Sequence, residues 1–329
     1  MERRSILSGV GLGAIGAAAM LTAGKARAEG KSFTIALVPG LTTDAFYITM
    51  HKGALAAAKA LGVKLVFQGA PSFNPVQQVP VLDAVIARRP DALLIAPTDK
   101  TQLIEPLQGA SSSGIPVITV DTYIGTGVYQ TGSGSADFPL SYIASNNTLG
   151  GQIAARALAK AIGGKGKVYV SNIEAGVSTT DQRREGFISE MKNYPGITVL
   201  DTQYNDDDAN KAASQAQSVL ARNPDLAGIF GTNLFSAMGA GSGVQQSGAA
   251  GKVKVVAFDA PESIIGNIKT GLISIAIAQH PAEIGWFGVA AAYAHLTGQS
   301  IPPAIATGFT VIDKTNVDDP STKKYVYSE

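Results

Sequence analysis

From residue 32 onward, short apolar runs rich in β-branched residues alternate with Ala-rich stretches whose apolar positions recur at helical spacing. FTIALV (33–38) precedes a predicted helix near 46–61, KLVFQ (64–68) one near 75–88, and ALLIA (92–96) one near 101–113, before PVITV (116–120). After residue 146 the pattern restarts. A helix at 148–162 precedes KVYVS (167–171), a second covers 181–193, and ITVLDTQ (197–203) leads to a third at 208–222. LAGIF (226–230), VKVVAF (253–258) and ISIAIA (273–278), with helices between them, complete the series. Strands that are apolar throughout and joined by crossover helices belong to parallel sheets covered on both faces. Two such series predict an α/β protein with two doubly wound parallel-sheet lobes.

In open parallel sheets, ligands bind beyond the carboxyl ends of the strands, so the residues after each apolar run carry the functional information. They are Asp44, Phe46 and Tyr47 after the first strand, then Asp121 and Thr122 after the fourth. In the second series they are Arg183, Asn233, Asp259 and Gln279. Carboxylates accept hydrogen bonds from hydroxyls, Arg and Asn donate to hydroxyl and ring oxygens, and charge-assisted bonds of this kind are strong. Aromatic faces cover the C–H surface of a sugar ring. Such a cleft suits a polyhydroxylated molecule of monosaccharide size, rejecting wrong ligands through buried polar groups left unpaired.

The N-terminus places this chemistry in a compartment. MERRSILSGVGLGAIGAAAMLTAGKARAEG has a charged start, an apolar stretch from Ile6 to Ala23, and small residues ending in Ala26-Arg27-Ala28. That layout predicts a secretory signal over 1–28, cleaved near Ala28. Arg3-Arg4 followed by Ser-Ile-Leu resembles a twin-arginine export signal. The leader holds Glu2 against Arg3, Arg4, Lys25 and Arg27, so its removal takes the formal charge from +1 to −2. That balance gives no electrostatic footprint for nucleic acid. The absence of cysteine excludes disulfides, thiol catalysis and thiolate metal sites, and no later stretch is apolar enough for membrane insertion. Gly11-Leu-Gly13-Ala-Ile-Gly16 matches a dinucleotide fingerprint but follows no strand, and Gly163-Gly164-Lys165-Gly166 precedes one, so it reads as a turn. His51, His280 and His295 lack metal-ligand spacing. No metal and no cofactor is expected.

Seven stretches in order carry a resemblance: FTIALVPGLTTDAFYITMHKGA, IPVITVDT, YIASNNTLGGQIAA, TDQRREGF, GIFGTNLFSAMGA, VKVVAFDAPE and ISIAIAQHPAEIG. Over some 280 residues, from Lys31 to about Ile312, the chain resembles the ribose-binding type of periplasmic solute-binding proteins of ABC importers, related to the effector domains of LacI-type repressors. The resemblance implies two lobes joined by three crossing strands and closing on one small ligand. One lobe would hold 31–145 plus 281–306 and the other 146–280 plus 307–329, with hinges near Ser145-Asn146, His280-Pro281 and 305–308. It also implies a monomeric, non-enzymatic periplasmic receptor that delivers a monosaccharide or sugar alcohol to the importer's membrane permease. Carried over by position, ligand contacts fall on Asp44, Phe46, Tyr47, Asp121, Arg183, Asn233, Asp259 and Gln279, with Arg184 and Glu185 solvated.

The departures from ribose binders matter as much. Asp44 stands where an amide is usual, Thr122 where an arginine is, and Asp206 or Asp207 near a capping aromatic. The loop 125–139 is additional. Ribose itself is therefore disfavoured, as is an acidic sugar. Asp206-Asp207-Asp208 reads as a solvated helix N-terminus, and Trp286 as a core residue of an apolar helix. Two other functions share these residues. A sensor subunit would present the same ligand to a chemoreceptor or membrane kinase, and a glycoside hydrolase would need paired carboxylates.

Overall fold

The computed structural model describes residues 32–327, so the expected leader lies outside the described residues. The first series forms β1 (Thr34–Val38), α1 (Ala45–Leu61), β2 (Lys64–Phe67), α2 (Pro75–Ile86), β3 (Ala92–Ile95), α3 (Ile104–Ser112), β4 (Val117–Val120) and β5 (Ser141–Ser145). The second begins with α4 (Asn147–Ala161), β6 (Gly166–Asn172), α5 (Ser178–Met191), β7 (Ile197–Val199), β8 (Gln203–Tyr204), α6 (Ala209–Arg222) and β9 (Leu226–Gly231). It continues through α7 (Leu234–Gln246), β10 (Lys254–Phe258), α8 (Glu262–Thr270) and β11 (Ile275–Ala278). Then come α9 (Pro281–Leu296), β12 (Ala304–Thr307), β13 (Thr310–Asp313) and α10 (Pro320–Lys323).

The strands make two sheets, in the orders β12-β5-β4-β3-β1-β2 and β13-β11-β10-β9-β6-β7, with β8 also on β6. All pairings are parallel except β11 with β13. The chain passes between the sheets after β5, after β11 and between β12 and β13. Two doubly wound parallel sheets joined by three crossings are the architecture the sequence predicts. Strand order reverses between β1 and β3 in one sheet and between β6 and β9 in the other, the places where crevices open in such folds.

The two-residue period of a strand explains why the strands are apolar on both faces. Ile35 and Leu37 face the core under α1 and α9, while Ala36 and Val38 face the one under α2 and α3. In the second sheet, Val255 and Ala257 turn one way while Val256 and Phe258 turn the other. Each sheet thus carries two cores, which is why alternation never shows in the sequence.

Three details differ from the sequence expectation. The run 197–203 breaks into β7 and β8 around Asp201-Thr202. The helix expected from 101 starts at Ile104, because Asp99 first accepts the Thr101 and Gln102 N–H groups in a turn, both at 2.7 Å. Trp286 is 40% exposed and not core, since α9 buries the face carrying Ile284, Gly285, Gly288 and Ala292. The loop 125–139 forms no helix or strand. Tyr129 pins it, buried beneath the first sheet with its hydroxyl between Thr119 and Ile124.

Candidate functional site

The strand exits of both sheets converge on one cavity. Eight of the nine sequence-predicted residues line it: Asp44, Phe46, Tyr47, Asp121, Arg183, Asn233, Asp259 and Gln279. Thr122 does not. A left-handed backbone at Asp121 (φ 62°) aims the carboxylate into the cavity, and the Thr122 N–H closes back on Val120 O at 2.7 Å. Asp259 reaches the cavity through the same conformation, at φ 75°. That geometry is uncommon for non-glycine residues and tolerated best by Asp and Asn.

From β1, Asp44 caps α1 by accepting the Phe46 N–H at 2.8 Å while still facing the cavity. The Tyr47 hydroxyl donates to Asp121 Oδ2 at 2.7 Å, linking the exits of β1 and β4. Phe46 meets Tyr47 edge to face at 5.2 Å.

Arg183 lies inside α5, not at its mouth, because the helix starts at Ser178. It is only 3% exposed and is braced through Nε, Nη1 and the face of its guanidinium. Nε donates to Asn147 Oδ1 at 2.8 Å, Nη1 donates to Thr232 O at 2.9 Å, and the guanidinium stacks 3.9 Å above the Phe258 ring centroid. Two glycines make this placement possible. A Cβ on Gly151 of α4 would stand 2.0 Å from Arg183 O, and one on Gly186 would stand 2.1 Å from Thr148 O. Arg184 is half-buried, near Asp181 and Glu185, and Glu185 is exposed.

Asn233 caps α7 through Oδ1 and donates Nδ2 to Asp207 Oδ1 at 2.6 Å. This corrects the expectation of a wholly solvated acidic run. Asp208 caps α6 and Asp206 pairs with Lys211, but Asp207 turns into the cavity. Left-handed φ values of 55° and 60° at Asp206 and Asp207 produce that split. Sequence reasoning also missed Leu41, Phe73, Ile173, Val177, Thr179 and Thr180, which line the cavity without a strand-exit signal of their own.

Asp259 and Gln279 form the far wall. Gln279 Nε2 donates to Asp259 Oδ1 at 2.8 Å, while Gln279 Oε1 is buried with no protein partner. Behind them, the Tyr327 hydroxyl donates to Asp259 Oδ1 at 3.0 Å and accepts the Gln279 backbone N–H at 2.8 Å. Nothing in the sequence marks Tyr327.

Four carboxylates thus face one guanidinium. Burial pushes Asp44 up to about 7, with Asp259, Asp207 and Asp121 adding repulsion. Burial also raises Asp121 and Asp207 to about 6 each, against the pull of Arg183 on the first and the Asn233 hydrogen bond on the second. Asp259 is raised by burial too, opposed by Arg183, Gln279 and Tyr327. Tyr47 and Tyr327 are raised well above their ordinary value by burial and the neighbouring carboxylates, so both stay hydrogen-bond donors. Among the described residues no cluster of His, Asp or Glu could hold a metal ion, and no helix is long and apolar enough to cross a membrane.

The sequence pattern of the periplasmic binding protein domain matches residues 35–300. A ribose import binding protein of Salmonella typhimurium is 33% identical over 268 residues, covering 82% of this chain and 86% of its own. A solved ABC transporter solute-binding protein from Agrobacterium vitis, bound to α-D-tagatopyranose, is 71% identical with a TM-score of 0.90, covering 91% of this chain and 100% of that one. Another, from Actinobacillus succinogenes with bound D-allose, is 29% identical with a TM-score of 0.81, covering 88% and 100%.

Proposed function

The chain belongs to the periplasmic binding protein domain family as the sugar-binding component of an ABC importer, and from that premise we propose that it captures a monosaccharide in pyranose form, with D-tagatose the first candidate. The convergence of one guanidinium, four carboxylates and two amides on a cavity walled by Phe46 and Tyr47 supports a polyhydroxylated ligand over other classes. No lysine lines the cavity and carboxylates outnumber Arg183, which disfavours an acidic sugar. D-tagatose comes first because the 71% identical Agrobacterium vitis protein holds it.

In this reading Asp44, Asp121, Asp207 and Asp259 accept from sugar hydroxyls, Arg183 and Asn233 donate to sugar oxygens, and Phe46 and Tyr47 cover the ring. Sugar bridging the strand exits of the two sheets favours a closed arrangement of the lobes, which the permease then recognises. Membership of the family implies export to the periplasm. The finer reading has residues 1–28 removed as a leader, the protein acting as a monomer, and the sugar released unchanged. A thermal-shift screen against ketohexoses, aldohexoses, pentoses and polyols tests it. Sugar at 100 times its dissociation constant adds about 2.7 kcal/mol of stability. A raised midpoint with D-tagatose or a close epimer supports the reading, and no shift with any monosaccharide or polyol removes it.

A further inference from the structure

The C-terminal segment beyond β13 touches both sheets. Val317 enters the core of the second sheet, and Asp318 pairs with Lys269 of α8 at 2.8 Å. After α10, the Tyr325 ring stacks on His280, 3.8 Å between centroids, where the chain passes from β11 to α9. Tyr327 then donates its backbone N–H to Ala260 O at 2.9 Å and bridges Pro261, just past the exit of β10. Its ring goes the other way, meeting Phe46 of α1 at 5.9 Å within the core of the first sheet. One residue is therefore held by its backbone on the second sheet and by its ring on the first. It is 1% exposed and stands behind the cavity wall, not in it.

We propose that Tyr327 is a positioning residue for sugar recognition: its hydroxyl fixes the Asp259 carboxylate and the Gln279 backbone together, so the C-terminal tail sets the affinity of the cavity. This rests on reading the cavity as the sugar site. A carboxylate that must accept from a sugar hydroxyl works best when its own rotamer is locked before the ligand arrives. Gln279 Nε2 alone leaves Asp259 Oδ1 with one side-chain donor; Tyr327 supplies the second, and the same oxygen atom ties down the Gln279 N–H. The hydroxyl also favours the ionised form of Asp259, which faces Arg183 and lies near Asp44, Asp121 and Asp207.

The test is calorimetric titration of the intact protein and Tyr327→Phe with D-tagatose, D-allose, D-ribose and D-fucose between pH 5 and 8, with thermal midpoints of the sugar-free proteins. Tyr327→Phe keeps the ring against Phe46 and removes only the hydroxyl. The expected result is a folded variant that binds the preferred sugar about tenfold more weakly or worse at pH 7.5, with its loss of binding in acid moved to higher pH. Affinity within about twofold of wild type overturns the proposal. So does weaker binding with an unchanged pH profile, which marks a purely structural hydroxyl. If the wild-type protein binds none of these sugars, the sugar reading falls, and this inference falls with it.

Discussion

Nε of Arg183 donates to Oδ1 of Asn147 at 2.8 Å, joining the second turn of α5 to the first turn of α4. With Nη1 committed to Thr232 O, the bracing leaves Nη2 for a ligand in the cavity that Arg183 lines. A preset guanidinium loses little freedom when sugar binds. Arg183→Lys should therefore weaken binding roughly 10- to 100-fold, because an ammonium reproduces neither the fork nor the stacking on Phe258. Asn147→Ala, which loosens the brace and removes the bond from Nδ2 to Ser145 O, should cost less than Arg183→Lys. Titration of both variants with the preferred sugar checks the order.

The four carboxylates make the sugar-free protein most uneasy at alkaline pH. Their folded values are raised, Asp44 to about 7 and Asp121 and Asp207 to about 6, so between the ordinary carboxylate value and about 7 the folded state holds more protons than the unfolded one. Stability then falls as pH rises through that window. Thermal midpoints of the sugar-free protein should decline from about pH 5 to about pH 8. A midpoint that rises across the range contradicts the arrangement.

Sugar binding should run the opposite way. A protonated carboxyl loses acceptor capacity, so affinity should weaken as pH falls from 7 to 5, where Asp121 and Asp207 take up protons. Association constants measured across that range check it, and a flat profile would remove these two residues from the binding set.

Asp44→Asn separates the two effects. Asn74 caps α2 in the same way that Asp44 caps α1, so the helix start survives the exchange. The loss of one charge should raise the sugar-free midpoint at pH 8 by a few degrees and leave it nearly unchanged at pH 5. Affinity should drop at the same time.

The glycines between α4 and α5 predict a stability effect far larger than their size suggests. In Gly186→Ala the new methyl would meet Thr148 O at 2.1 Å, and the helices must part. Overpacking of this kind costs about 1–3 kcal/mol, and it displaces the backbone that carries Arg183. Both the midpoint and the affinity should fall; a variant with normal affinity would show that α5 tolerates the shift.

How far the sequence could be read follows from which interactions are local. The strand–helix period shows both sheets, because parallel strands buried on two faces are continuously apolar. Strand exits then locate Asp44, Asp121, Asn233, Asp259 and Gln279, since the fold places every exit on one side of its sheet. Arg183 also follows an apolar run, β6, but its place in the second turn of α5 is less direct than a strand exit, and the R-x-x-G-F pattern of the resemblance singles it out from Arg184. Asp207 hides in a run that reads as a capping cluster, and only its backbone conformation separates it from Asp208. Tyr327 has no local signal at all. Its position depends on a tail tied down by Val317, Asp318 and Tyr325, and the pair contacts of Asp318, Tyr325 and Tyr327 join residues 45 to 68 positions apart that no periodicity reports.

The central claim is that this cavity holds a monosaccharide through Arg183 and the facing carboxylates. The most direct measurement is calorimetric titration of D-tagatose into the protein lacking residues 1–28, beside Arg183→Ala. The account predicts one saturable site for the wild-type protein and no measurable binding for the variant. Equal binding by both proteins, or no heat with D-tagatose or any other monosaccharide, would contradict it.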